Sequence, residues 1–298
     1  MTMSPRTCVG LIGLGAMGRG AATNLLAKGF DVVGFDVRAE ALDWLQEQGG
    51  TAAPSLRELA THTRIVISFV VNSQQTESVL YGEGGLVGGL PAGAVVIVCS
   101  TMDPAYVQEL AERLARDSVH LVDAPVTGGA AGAAKGTLTI MGSGVTEAFD
   151  EARPVLEAFG SRVYNLGPAG AGARMKVLNQ LLCGVHLAVA GEAIALARHQ
   201  GLPLAMTLEI LGSGAAGSWM LADRGPRMVS ERFDDVRSAI DIFVKDMSLV
   251  LDATREARFA APLAHAAYLS FIQATARGLG AKDDAAVTTN YQLENGAS

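Results

Sequence analysis

Lysine is scarce in this chain: Lys28, Lys135, Lys176, Lys245 and Lys282 stand against a large majority of arginines, so each amine invites a question about its role. Lys176 has amide neighbours, Asn179 and Gln180, at i+3 and i+4. In a helix those three share one face. An amine oriented by two amides can carry a proton to or from a reacting hydroxyl. Spacing alone equally describes an ordinary solvated helix lysine. A second group, Asp123-Ala124-Pro125-Val126-Thr127-Gly128-Gly129, follows an apolar run. There Thr127 offers a hydroxyl donor, and Gly128 and Gly129 offer backbone N–H groups, to an anion such as a carboxylate. The alternative is a plain glycine-rich loop.

A third group is built to hold phosphate. Gly13-Leu14-Gly15-Ala16-Met17-Gly18 links an apolar run to a helical pattern, and Asp36 follows the next apolar run, 18 residues beyond Gly18. In that context Gly13 permits the tight turn, Gly15 lets backbone approach a pyrophosphate, and Gly18 lets helix and strand pack closely. The helix start supplies unpaired N–H groups to the phosphate. Asp36 suits the ribose hydroxyls and repels a 2′-phosphate, which favours NAD over NADP. Arg38 counts the other way, either as a phosphate ligand or as a solvated helix-start residue.

These groups need a scaffold, and the first half of the chain has the rhythm of one. Strand-like runs at Cys8–Ile12, Asp31–Phe35, Arg64–Phe69, Ala94–Val98, Val119–Val122, Leu138–Met141 and Arg162–Asn165 alternate with amphipathic stretches such as Ala16–Lys28, Ala39–Gln48, Pro104–Arg116 and Glu147–Phe159. Alternation of this kind predicts an α/β fold, a doubly wound, mostly parallel Rossmann sheet, over residues 1–167. After Gly167-Pro168 the strand pattern stops. Helices are expected near Gly170–Gln200, Leu204–Leu211, Val244–Ala257 and Leu263–Arg277, giving an all-helical domain over 168–298 for substrate binding and oligomerisation. The first of these helices is long enough, about 40 Å at 1.5 Å per residue, to lie between two domains and carry residues into a cleft.

Composition removes several classes of function. The net charge of −7, with no basic block, argues against nucleic acid or an anionic membrane as partner. Cys8, Cys99 and Cys183 are odd in number and lie in apolar runs, which fits a reducing, cytoplasmic setting rather than a disulfide framework. The five histidines have no metal-ligand spacing, so no metal is expected. His62 and His120 read as surface loop positions, and His186 as a core or cleft residue. Residues 1–7 are too short and polar for a signal peptide. The segment Leu181–Arg198 is interrupted by His186 and Glu192, so it reads as a buried helix rather than a membrane span. Its Ala and Leu content exceeds what one small domain hides, which predicts a homodimer or homotetramer.

Five elements in order, Gly13–Gly18, Asp123–Gly129, Gly136-Thr137-Leu138-Thr139, Gly170–Gln180 and Lys245-Asp246, make the chain resemble the β-hydroxyacid dehydrogenase family, typified by 3-hydroxyisobutyrate and tartronate-semialdehyde enzymes. The resemblance covers nearly the whole chain. It implies an NAD-dependent oxidation of a small hydroxy acid in an interdomain cleft. Lys176 would be catalytic, and Thr127, Gly128, Gly129, Asn179 and Gln180 would bind substrate. Gly13, Leu14, Gly15, Ala16, Met17, Gly18, Asp36, Val70, Val71, Thr101 and Lys245 would lie against the cofactor. Spacing gives Lys245 a second reading, as the i+4 partner of Asp241.

Two departures from the family pattern matter. Thr127 stands where Ser is common, which keeps the hydroxyl, and Gln180 stands where a second Asn is common. With Ser218-Trp219-Met220 and Ser238–Asp246, the latter resembles the branch acting on four-carbon sugar acids, which implies L-threonate, oxidised at C2, as substrate. Alternatives are 3-hydroxyisobutyrate or tartronate semialdehyde as substrate, an imine reductase, a phosphogluconate-type decarboxylating enzyme, and a non-catalytic dinucleotide-binding module. Lys176 argues against the reductase and the module, and the chain length against the decarboxylating type. A free lysine has a pKa of about 10.4, so a base at this position needs burial or a second cation, and oxidation is expected to run faster at alkaline pH.

Overall fold

Glycine-bounded apolar runs in the first half of the chain become strands, and the stretches between them become helices. The computed structural model describes residues 7–291. The reading of residues 1–7 as too short for a signal peptide therefore lies, Thr7 apart, outside the described residues. Two compact units meet within one helix, the first ending at Lys176 and the second starting at Val177.

In the first unit the order is β1 (Cys8–Ile12), α1 (Ala16–Ala27), β2 (Asp31–Phe35), α2 (Ala39–Glu47), β3 (Thr51–Ala52), α3 (Leu56–His62), β4 (Ile65–Ser68), α4 (Ser73–Tyr81), β5 (Val95–Val98), α5 (Pro104–Arg116), β6 (His120–Asp123), β7 (Val126–Thr127), α6 (Gly129–Lys135), β8 (Leu138–Gly144), α7 (Thr146–Phe159) and β9 (Gly160–Asn165). Strand order in the sheet is β3-β2-β1-β4-β5-β6-β8-β7, with β9 on β8. Strands β1 to β6 pair in parallel, whereas β8 runs antiparallel to β6 and β7. Every residue of β4 and β5 is buried, as expected for parallel strands covered by helices on both faces. The winding reverses between β1 and β4. Ligands in doubly wound sheets bind beyond the strand ends at such a switch point. The loops after β1, β2, β4 and β5, holding Gly13–Gly18, Asp36, Val70-Val71 and Thr101, all leave that edge.

Local chemistry fixes the helices. In α5, Asp103 accepts from the Ala105 and Tyr106 amides, Pro104 sits in the first turn, and Arg113 and Arg116 occupy the last, which satisfies orphan donors and complements the helix dipole. The short helices α3, α4 and α6 were not expected. In α6 the run Gly129–Lys135 is glycine and alanine apart from its last residue, so it has no readable periodicity.

Helix α8 (Ala171–His199) passes from the first unit into the second. The first turns of α8 are tied to the first unit, as the site geometry below makes clear, so that unit runs on to Lys176. By length and composition α8 alone among the described helices could cross a membrane, but half of its most apolar window is buried within the protein. The second unit continues with α9 (Leu204–Ser213), α10 (Trp219–Ser230), α11 (Ile240–Glu256), α12 (Pro262–Ala276) and a 3-10 turn at Asp284–Tyr291. Phe243 and Phe271 stack at 5.1 Å within its core.

Helix α10 was missed for a physical reason. Its buried face includes Arg224 and Arg227 rather than apolar residues alone. Arg224 donates to Asp284 at 3.0 Å through both Nε and Nη2, and Arg227 donates to Asp283 at 2.8 Å. Both aspartates are fully buried. Burial, the largest influence, raises the Asp284 pKa against the pull of Arg224. Helix α11 begins at Ile240 rather than Val244, the preceding turn being held where Ala239 bridges Asp283. His62 and His120 are exposed as expected, but they end α3 and begin β6 rather than lying in loops.

Candidate active site

The glycine turn after β1 has three distinct geometries. Gly13 has φ +86°, and a Cβ there would lie 2.9 Å from the Phe69 carbonyl oxygen. A Cβ on Gly18 would collide with the Gly13 carbonyl oxygen at 1.9 Å, whereas one on Gly15 would meet no atom within 4 Å. Gly13 and Gly18 are therefore required by the protein's own packing, and Gly15 leaves open space above the backbone. No side chain caps the start of α1 and no acidic residue lies in its first turn, so its N–H groups suit a pyrophosphate. The residues present fit a dinucleotide.

Asp36 closes this end. It accepts from the Leu14 amide at 2.7 Å and from Arg38 Nε and Nη2 at 3.0 and 3.1 Å. Burial works to raise its pKa, but the Arg38 side chain and the two amides outweigh that and hold it below the ordinary range. Arg38 is an exposed helix-start residue, as one of its two readings has it, and its guanidinium is paired with Asp36. After β4, Asn72 caps α4 by accepting from the Gln75 amide, the Val71 amide donates to Gln75, and Ser100 Oγ donates to the Val70 carbonyl at 2.6 Å. Thr101 follows β5, half-buried.

Lys176 is not solvated. Its side chain lies buried, at 8% exposure, and Nζ donates to the Val126 carbonyl at 2.8 Å. The amine therefore stands one residue from Thr127, where the predicted anion loop begins. Thr127 pairs with Thr139 across β7 and β8. Gly128 and Gly129 have φ +127° and +64°, conformations that side chains rarely adopt. Gly136, at φ +65°, ends α6, which lets the chain turn into β8 beneath Gly128. The Gly136–Thr139 element is thus the brace of the loop.

Asp123 and Ser143, which sequence reasoning did not single out as site residues, anchor the helix that bears Lys176. Asp123 Oδ2 accepts from Ser143 Oγ at 3.0 Å and from the Ala173 amide at 2.8 Å, and Ser143 Oγ accepts from the Gly172 amide at 3.0 Å. These contacts satisfy N-terminal helix donors from outside the helix. Burial pushes the Asp123 pKa up to about 6, against the Ala173 and Gly170 amides, Ser143 and Arg174, which pull it down. A Cβ at Gly172 would lie 2.3 Å from the Met141 carbonyl oxygen, so only glycine allows the approach.

In the second unit, Asn179 Nδ2 donates to Gln180 Oε1 at 2.7 Å, Gln180 Nε2 donates to Asp246 Oδ2 at 2.5 Å, and Lys245 Nζ pairs with Asp246 Oδ1 at 2.6 Å. The i+4 reading of Lys245 does not describe this geometry: Asp241 accepts instead from Thr275 Oγ1. Asp246 is 3% exposed and links two predicted site residues. Only its place beside Lys245 hinted at it.

Two family models match end to end: the NAD binding domain of 6-phosphogluconate dehydrogenase over residues 8–167, and the NAD-binding domain of NADP-dependent 3-hydroxyisobutyrate dehydrogenase over residues 170–291. The chain belongs to the β-hydroxyacid dehydrogenase family. It is an NAD-linked hydroxyacid dehydrogenase, with a Rossmann-like N-terminal unit and an all-helical C-terminal one. It is 43% identical over 280 residues to L-threonate dehydrogenase of Cupriavidus necator, covering 94% of each chain. To L-threonate dehydrogenase of Escherichia coli K12 it is 40% identical, covering 94% of this chain and 93% of the relative. A crystal structure of 3-hydroxyisobutyrate dehydrogenase from Salmonella typhimurium superposes with a TM-score of 0.91 at 40% identity, covering 95% and 99% of the two chains. Within this β-hydroxyacid dehydrogenase, Asp123 explains why the Asp123–Gly129 element begins where it does: its carboxylate holds the lysine's helix while the Val126 carbonyl holds the lysine itself.

Proposed function

We propose that this dehydrogenase oxidises L-threonate at C2 to the 2-oxo acid with NAD, and that Lys176 moves the proton. The observation that carries the proposal is the buried Lys176 amine bonded to the residue preceding Thr127, Gly128 and Gly129. Identity of 40–43% to L-threonate dehydrogenases over nearly the whole chain supports the substrate. When bound, NAD supplies the hydride acceptor for the carbinol carbon. Gly13 to Gly18 would hold the pyrophosphate and Asp36 the adenosine ribose, with Val70, Val71, Thr101 and Lys245 toward the other end. Thr127 and the Gly128 and Gly129 amides would bind the substrate carboxylate. Lys176, neutral, takes the hydroxyl proton as the carbonyl forms, and protonated it returns that proton in reverse. Initial rates with three- to six-carbon hydroxy acids, each with NAD and NADP, test this reading. L-threonate with NAD is expected to give the highest kcat/KM, and a clear preference for 3-hydroxyisobutyrate would replace it.

We also infer a homo-oligomer of at least two copies. Leu178, Leu182, Val189 and Leu196 are each more than half exposed and line one face of α8 at helical spacing. A stripe of this kind marks an interaction surface more often than a solvated one. Light scattering after size exclusion is expected to give at least twice the chain mass, and a clean monomer would refute the inference.

A further inference from the structure

Asn179, Gln180 and Asp246 form a chain of hydrogen bonds with one direction. Asp246, a carboxylate paired with the Lys245 ammonium, can only accept. Gln180 must therefore turn its amide nitrogen toward Asp246, which leaves Oε1 facing Asn179. Asn179 must then turn its own nitrogen toward Gln180. The remaining N–H of that nitrogen goes to Cys183 Sγ at 3.4 Å. Both donors of Asn179 are thereby used inside the protein, and among the described residues no group donates to its Oδ1. An Asn or Gln amide offers two donors or two acceptors with similar shape, and its hydrogen-bond network decides which. Here the network leaves one free acceptor on a half-buried side chain, one helical turn after Lys176.

We propose that Asp246 is a positioning residue that acts through Gln180: it fixes the Asn179 amide so that Oδ1 accepts from a substrate hydroxyl other than the one oxidised, and so selects polyhydroxy acids. The inference rests on the reading of the chain as a dehydrogenase of sugar acids and adds how the extra hydroxyls are recognised. It also gives the longer Gln180 side chain a purpose, since it carries the direction from Asp246 to Asn179. A site built to pair a hydroxyl disfavours an analogue that lacks it, because its own polar group is then left unpaired.

The test compares kcat/KM for L-threonate and for 2-hydroxybutanoate, which has the same carbon count but only the reacting hydroxyl. It uses the full-length wild type, Gln180→Met and Asp246→Asn. Gln180→Met cuts the relay and leaves the Asp246 to Lys245 pair in place, while Asp246→Asn keeps the shape but allows either polarity. Wild type is expected to favour L-threonate. Each variant is expected to lose about 10- to 100-fold of that preference, as for one unpaired buried polar group. The loss should fall mainly in KM for L-threonate and exceed, by that factor, any loss with 2-hydroxybutanoate. A merely structural role would lower both substrates together, and that result overturns the proposal, as does an unchanged preference in both variants. A wild type that turns over another polyhydroxy acid in place of L-threonate removes the substrate reading alone, and the comparison is then run on that acid and its deoxy analogue. A wild type that prefers an acid with a single hydroxyl overturns the relay itself.

Discussion

Lys176→Ala is expected to lose about 10²–10⁴-fold in kcat, the usual worth of a positioned acid–base group, while still binding NAD. Lys176 Nζ donates to the Val126 carbonyl, whereas Asp36 and the glycine turn are held by the Leu14 amide and Arg38. Cofactor affinity, read by titration calorimetry, should therefore stay within a few-fold of wild type. Lys176→Arg should be as impaired as Lys176→Ala, since a guanidinium keeps the charge but does not release its proton at working pH. That pair of variants separates proton transfer from electrostatic attraction of the carboxylate. If arginine restores substantial turnover, charge rather than proton transfer is the lysine's contribution. If alanine keeps near-normal turnover, the residue has no part in the chemistry.

Replacing Arg224 by Met is expected to destabilise the protein by about 3–5 kcal/mol, the cost of leaving a buried charge without its partner. Asp284 has no exposed surface and receives two 3.0 Å bonds from Arg224, and its next cation, Arg227, is 3.6 Å away. A shift in the denaturant midpoint at constant slope measures the effect, and a change under about 1 kcal/mol, the range of exposed pairs, contradicts it. The pH dependence has a definite sign. Burial raises the folded-state pKa of Asp284 above the ordinary carboxylate value. Its contribution is thus fully present below the unfolded pKa and is lost as pH rises through the folded one. The Arg224 variant, with the opposing cation gone, should therefore be penalised least in mild acid and most at neutral pH.

The Rossmann half was legible because parallel strands covered on both faces are continuous apolar runs, and β1, β2, β4 and β5 were located within a residue or two. The glycine turn was legible because Gly13 and Gly18 answer to backbone geometry and close packing, while Gly15 leaves the space a ligand needs. The helical half was read less well. Helix α10 buries Arg224 and Arg227 beside Met220, Leu221 and Met228, and the partners of those arginines, Asp283 and Asp284, lie more than fifty residues later in the chain, so hydrophobicity alone does not mark its buried face. The same holds for Asp123 and Asp246. Each acts through contacts distant in sequence, Asp123 with Ser143 and the amide of Ala173 and Asp246 with the side-chain amide of Gln180, and neither spacing nor composition encodes such a meeting. Lys176 lies between these cases. Spacing placed it beside Asn179 and Gln180 but could not distinguish a solvated amine from a buried one. The family resemblance implied a catalytic amine, and the structure shows a buried one bonded to the Val126 carbonyl.

The most direct test of the account follows the hydrogen that leaves the substrate. L-threonate carrying deuterium at C2 is incubated with NAD and the enzyme, and both products are weighed by mass spectrometry. Deuterium is expected in the reduced dinucleotide, and the 2-oxo acid is expected without it. Reduced dinucleotide free of label, or none formed at all, would contradict it.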